Sequence, residues 1–330
     1  MKPVSILDNQ GVSAPALWWS GRGLTFIEVE GPMPSTPSDS NVLVPPVLGV
    51  EEDPDGIHRP EQGVNRLMEG DCLARLSEVE SRSIHLVLCD LPYGTTQNRW
   101  DSVIDLEPLW REYTRVLAPG GVVVLTGQGP FTARLILSNE RWFKYKWVWV
   151  KSKATNFLNA KKQPLRRHED ICVFYPKQPL YQPQMQRGGV YDKGVRKNQL
   201  TGSYGDFDPV RVQSEGTRYP TDVVYFKTAE SEGRVWHPTQ KPVALARYLV
   251  RTYTSPGQVV LDNAFGSGSF LVGAVLEGRN IVGIERNANE TQFRREPVDL
   301  MEVARTRLQA AYSDLDERTR GWLAPVRWDE

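Results

Sequence analysis

The stretch QVVLDNAFGSGSF (258–270) constrains the fold more than any other part of the 330-residue chain. Branched apolar residues run to an acid, Asp262, then through Phe265-Gly266-Ser267-Gly268 into an apolar segment, Phe270 to Leu276. A buried strand, a glycine turn and a helix in succession make the opening unit of a parallel sheet. The glycines let the backbone approach a ligand closely at that turn. The next apolar run, RNIVGIERN (279–287), reaches Glu285 about twenty residues on, where a carboxylate can bind the two hydroxyls of a ribose. The pair reads as a nucleoside site. No Gly-Lys-Ser/Thr follows, so it is not a phosphate loop. A plain turn, or a dinucleotide site lacking its third glycine, stays open from these residues alone.

The same alternation runs back along the chain. NRLMEGD (65–71) and IHLVLCD (84–90) read as strands ending in acids, with a short helix over 72–79 between them. Helical spacing from Leu106 to Leu117 stops at APGG. A strand at 121–127, a helix at 131–137 and two paired strands, 144–151 and 169–176, follow. Residues 177–235 lose clear periodicity and read as loop-rich. Order returns with a helix at 243–253, and a closing helix spans about 297–311. Strands alternating with helices predict a mostly parallel sheet covered on both faces, with ligands beyond the carboxyl ends of its strands. Residues 1–62, rich in Pro, Ser, Asp and Glu, carry no core pattern and read as a mobile tail.

Net charge is zero, but its distribution is uneven. Residues 144–200 hold thirteen Lys or Arg against three acids, whereas residues 1–60 hold eight acids against three bases. Such a basic block suits a polyanion, although a solvated face has the same composition. No stretch approaches a membrane span or an export signal, and Cys72, Cys89 and Cys172 are scattered. A soluble protein of a reducing cytoplasm is the expectation.

The second informative stretch is DLPYG (90–94), where a buried strand stops at a carboxylate, a proline and an aromatic ring. The exocyclic amino nitrogen of adenine or cytosine is a poor nucleophile, because its lone pair is delocalised into the ring. Two acceptors that take its N–H bonds favour the pyramidal form that exposes the lone pair. Asp90 can be one acceptor and the Leu91 carbonyl the other. Pro92 fixes the backbone, and Tyr93 offers a face for stacking. A base in a duplex would have to be flipped out to reach it. A strand-end Asp before a proline turn is the plainer alternative.

Together the two motifs resemble the β group of amino-methylating DNA methyltransferases. That family carries DPPY at its catalytic loop and FxGxG at its cofactor loop, in the order found here. HPTQKP (237–242) and EGD (69–71) are similar to two further family segments, and the likeness covers about 64–310. It implies a Rossmann-like methyltransferase fold, with a mostly parallel seven-stranded sheet and an inserted target-recognition region at 177–235. Residues 63–176 would form the catalytic half and 236–330 the cofactor half. S-adenosyl-L-methionine is the implied cofactor, with no metal. Asp90, Leu91, Pro92 and Tyr93 would be catalytic. Asp71, Asp262, Phe265, Gly266, Ser267, Gly268 and Glu285 would line the cofactor. His237, Thr239 and Lys241, before a helix amino terminus, would meet its methionine carboxylate.

Leu91 departs from the family's first proline, but only its carbonyl is required. Asp at the head of the loop implies adenine N6, since cytosine-N4 members usually carry Ser there. Transfer would be direct, without a covalent enzyme intermediate, and no Pro-Cys occurs for a cytosine-C5 nucleophile. Double-stranded DNA is the implied partner, with Asn156, Lys161, Lys162, Arg166 and Arg167 on its phosphates and Arg187 and Arg196 on its bases. A homodimer and a cognate restriction enzyme are left open. So are cytosine-N4 methylation, methylation of RNA or of a protein amide, a non-catalytic DNA-binding protein and a nicotinamide dehydrogenase.

Overall fold

The computed structural model describes residues 65–94, 102–196, 208–287 and 296–324, with short strand pieces at 19–20, 23–24 and 292–293. The expected mobile tail at 1–62 lies outside the described residues, except that Trp19–Ser20 and Gly23–Leu24 pair antiparallel. They belong to a separate unit, Met1–Pro46. Among the described residues no helix is long and apolar enough to cross a membrane.

The larger unit is a three-layer α/β structure. In chain order its elements are β1 (Arg66–Glu69), α1 (Cys72–Leu76), β2 (Ile84–Cys89), α2 (Leu106–Val116), β3 (Leu117–Gly127), α3 (Pro130–Ser138), β4 (Phe143–Thr155) and β5 (Arg166–Phe174). There follow β6 (Gln186–Arg196), β7 (Val210–Arg218), β8 (Val223–Phe226), α4 (Val243–Tyr253), β9 (Val259–Asp262), α5 (Ser269–Leu276), β10 (Asn280–Glu285), α6 (Leu300–Ser313) and α7 (Glu317–Arg320). The main sheet has the order β8-β4-β5-β3-β2-β9-β10-β1. All neighbours pair parallel except at β5, which is antiparallel to both β3 and β4.

Alternation within the apolar runs explains the layers. Leu86 and Leu88 of β2 face one side with α4, α5 and α6, while Val87 and Cys89 face the other with α1, α2 and α3. Both sets are fully buried, so the central strands must read as near-continuous apolar sequence. Helices α1, α2 and α6 begin at Asp71, Asp105 and Asp299, whose carboxylates accept from backbone N–H groups of the first turn.

The strand expected at 121–127 begins earlier, at Leu117, and takes in the APGG segment, and within 177–235 two further findings differ from the sequence reading. Val223–Phe226 adds an eighth strand, parallel to β4, one more than the seven expected. Strands β6 and β7 form a separate antiparallel ribbon with Gln186 opposite Arg218. The ribbon has no fully buried face, and Val190, Val195 and Val210 are exposed. Without a core to face, its residues carry no period for a pattern search to find.

Close approach of α4 and α5 depends on Gly273. A Cβ there would lie 2.5 Å from the Ala246 Cβ and 3.1 Å from the Arg247 nitrogen. Gly273→Val should therefore lower unfolding free energy by about 1–3 kcal/mol or more through overpacking. Gly189→Ala, where a Cβ meets nothing within 4 Å, should stay within about 0.5 kcal/mol of wild type. Urea unfolding of both variants checks this, and equal stabilities would contradict the packing described.

Candidate active site

One cavity of about 690 Å³ opens beyond the carboxyl ends of β1, β2, β9 and β10, where a parallel sheet offers its ligand crevice. Because β5 runs the other way, its amino end reaches the same edge. That reversal carries Arg166 and Glu169 into the lining, beside Lys151 from the end of β4.

Asp90 follows β2, and its carboxylate is surrounded. The Tyr93 hydroxyl lies 2.7 Å from Oδ1, and the Thr126 hydroxyl, from the end of β3, donates to the same oxygen. Lys241 Nζ donates to Oδ2 at 2.6 Å. Lys241 also lies 3.2 Å from Glu169 Oε2, and Lys151 Nζ donates to Glu169 Oε1 at 2.5 Å. Four alternating charges, Asp90, Lys241, Glu169 and Lys151, thus run through a region where the last three are buried. Burial opposes the charge on Lys241, but Asp90 and Glu169 outweigh it and hold the ammonium above its ordinary range. Burial likewise opposes charge on Glu169, yet Lys241 and Lys151 bring its carboxyl below the ordinary range. Opposite charges in contact favour the ionised forms.

The other end of the cavity is built from the glycine turn. Gly266 and Gly268 have φ of 53° and 77°, a left-handed geometry that glycine adopts without strain. The Gly266 N–H donates to Glu285 Oε2 at 2.7 Å and the Asn287 N–H to Oε1 at 3.1 Å. Burial raises the Glu285 carboxyl nonetheless. Burial also raises the Asp262 carboxyl, to about 8. From α6, Arg307 donates to the Ser267 and Ser269 hydroxyls at 3.1 Å each, bracing the turn.

The cavity brings together Asp71, Asp90, Leu91, Pro92, Tyr93, Asn156, Arg166, His237, Thr239, Lys241, Asp262, Phe265, Gly266, Ser267 and Glu285. Gly268 is not in the lining. A Cβ there would meet the Ala304 Cβ at 3.1 Å, so its missing side chain serves contact with α6. At Gly266 a Cβ would meet nothing within 4 Å, which makes it the glycine with room beside it for a ligand. The expected anion place at the amino terminus of α4 is filled by Glu232, which accepts from the Val243 and Ala244 N–H groups at 2.7 and 2.9 Å. Burial holds His237 down to about 4, so it is neutral near pH 7. Lys161, Lys162, Arg167 and Arg187 are not part of the lining and are exposed, as is Arg166, which is part of it. Arg196 ends β6. Glu169, Lys151 and Thr126 had no signal of their own, because each sits inside a strand.

A family model described as DNA methylase matches residues 84–293, more than half of the chain. The chain belongs to this DNA methylase family. It is 24% identical over 258 residues to the type II methyltransferase M.HinfI of Haemophilus influenzae, a match covering 68% of this chain and 65% of that relative. This member therefore spans a little under two thirds of that relative's length. Among solved structures, the M1.HpyAVI–SAM complex is 16% identical, with a TM-score of 0.47 over 74% of this chain and 98% of that one. The cytosine-N4-specific PvuII DNA methyltransferase is 14% identical, with a TM-score of 0.49 over 74% and 93%.

Two measurements check this electrostatic arrangement. Glu169→Gln leaves two buried ammonium groups facing one carboxylate and should lower stability at pH 7 by about 3 kcal/mol. Stability equal to wild type would show that the four charges do not act together. Asp262 has a folded pKa above its unfolded value, so its stabilising contribution is complete below pH 3.8 and is lost as pH rises toward 8. Relative to Asp262→Asn, wild-type stability should therefore fall between pH 5 and pH 8, by at most about 1.4 kcal/mol per pH unit. Parallel pH profiles would contradict the assignment.

Proposed function

We propose that this protein transfers a methyl group from S-adenosyl-L-methionine to adenine N6 of a base turned out of duplex DNA. The observation that carries the reading is that the Asp90–Tyr93 loop and the Glu285–Gly266 pair open into one cavity. Family membership supports methylation of DNA, and Asp rather than Ser at position 90 favours adenine over cytosine.

The residues present fit the cofactor. Glu285 has both oxygens fixed by backbone N–H groups and retains lone pairs for a ribose diol. Gly266 leaves open space beside it, and Asp71, at the start of α1, would meet the adenine. When bound, S-adenosyl-L-methionine supplies an electrophilic methyl on a sulfonium. The protein's part is to prepare the nitrogen. Asp90 Oδ2 keeps a lone pair beyond the one used by Lys241, and with the Leu91 carbonyl it takes the two amino N–H bonds. Lys241, Tyr93 and Thr126 hold that carboxylate in one orientation, so no reorganisation is needed as the nitrogen pyramidalises. The Tyr93 ring, 4.9 Å from Phe131 and stacked on it, gives the base a fixed plane. After transfer the nitrogen must lose a proton, and Asp90 is the nearest anion to accept it. Arg187 and Arg196 lie on the β6–β7 ribbon, and a two-stranded ribbon fits the DNA major groove.

Modification-sensitive sequencing of host DNA with and without this gene tests the reading. Methylated adenine at one sequence is expected, and the absence of any gene-dependent base would overturn it. Two variants divide the cavity. Asp90→Ala should keep cofactor affinity and lose transfer by about a hundredfold or more. Gly266→Val should lose cofactor affinity instead, as read by calorimetry. Unchanged transfer in the first, or unchanged affinity in the second, would contradict the division.

A further inference from the structure

The loop between β4 and β5 carries an exposed apolar pair that the site does not use. A single 3₁₀ turn, Phe157–Asn159, leaves Phe157 74% and Leu158 84% exposed. Two large adjacent side chains kept in water need a partner to explain them. Their position names the partner. Thr155 and Asn156, just before the turn, line the cavity, as does Arg166 where the chain returns. The turn therefore stands at the cavity rim. Between residues 152 and 168 there are five cations, Lys153, Lys161, Lys162, Arg166 and Arg167, and no acid, and all five are exposed.

We propose that Phe157 and Leu158 form a wedge that enters the DNA base stack where the target base has left it. The proposal rests on the reading of the cavity as a DNA-modifying site. Turning a base out of a duplex leaves a gap and unstacks its neighbours, at a cost of a few kcal/mol, and apolar side chains inserted between base steps offset that cost. The flanking cations bind the phosphates on either side.

The turn is built to project. Asn156 takes a left-handed φ of 69°, and its Oδ1 accepts from Asn159 Nδ2 at 2.7 Å. The Asn159, Ala160 and Lys162 N–H groups close the turn onto the Asn156, Phe157 and Asn159 carbonyls at 3.1, 3.0 and 2.8 Å. A pair presented this way loses little further freedom on insertion. Asn156 itself lines the cavity, so this loop borders the space a turned-out base would occupy. One loop thus meets both the extruded base and the space it vacates.

The test uses the full chain and duplexes carrying the methylated sequence, with the target base either paired or facing an abasic nucleotide. Phe157→Ala/Leu158→Ala should lose at least about tenfold in transfer on the paired duplex, and less than about threefold where no pair need be broken. Cofactor affinity should not change, which shows that the double variant is folded. Phe157→Trp should keep the paired rate, with its added indole fluorescence quenched on binding as it stacks. Full transfer by the double variant on the paired duplex, or equal losses on both duplexes, would overturn the wedge while leaving the methylation reading intact. A wild type that modifies no duplex would overturn that reading, and the wedge with it. Wild-type binding to phosphatidylserine vesicles that the double variant loses would reassign the pair to a membrane surface and overturn the wedge alone.

Discussion

The ion pair between Asp90 and Lys241, 2.6 Å across and 151 residues apart in sequence, ties the two halves of the sheet together at the cavity. Neither charge could be buried there alone, since an uncompensated buried ion costs several kcal/mol. Lys241 needs a second carboxylate because Asp90 also serves two hydroxyls, and Glu169 provides it. Glu169 in turn needs Lys151. The chain of charges depends on the one reversed strand of an otherwise parallel sheet. With β5 parallel to its neighbours, Glu169 would sit toward the opposite edge, and Lys241 would face Asp90 without it.

The cofactor end depends on a different constraint. Glu285 is fixed by the backbone of the very turn that opens the cavity, and that turn is fixed by α6. Arg307 reaches the Ser267 and Ser269 hydroxyls, while Asn287 accepts from the Leu300 N–H at 2.9 Å at the start of the same helix. Gly268 completes this contact against Ala304. The turn therefore holds its shape through α6, and Gly266 is left free to face a ligand.

Much of this was legible in the sequence, for physical reasons. Strands buried on both faces must be apolar throughout, so Ile84–Cys89 and Val259–Asp262 stand out, and their acidic ends mark the crevice. Asp90, Tyr93, Gly266 and Glu285, which the structure places in one cavity, stand out in the sequence because motifs at strand ends are local. What depends on pairing across the sheet was hidden. Glu169 and Asp170 sit between an exposed Arg-Arg-His run and an apolar one, and nothing in those residues says that β5 is reversed. Thr126 reads as one more strand residue. The sequence places Lys241 before a helix end, but Glu232 fills that end. The β6–β7 ribbon carries no apolar period, and the apolar run of β8, Val223–Phe226, is only four residues long within a loop-rich segment.

The proposed reading rests on Asp90 and the Leu91 carbonyl as an acceptor pair for an amino nitrogen, in the cavity that also holds Gly266 and Glu285. It is tested most directly by incubating purified protein with duplex DNA and methyl-labelled S-adenosyl-L-methionine, digesting the DNA and identifying the labelled nucleoside by mass spectrometry. Label is predicted in N6-methyladenine and in no other nucleoside. Label in N4-methylcytosine, label retained on the protein, or unlabelled DNA would contradict it.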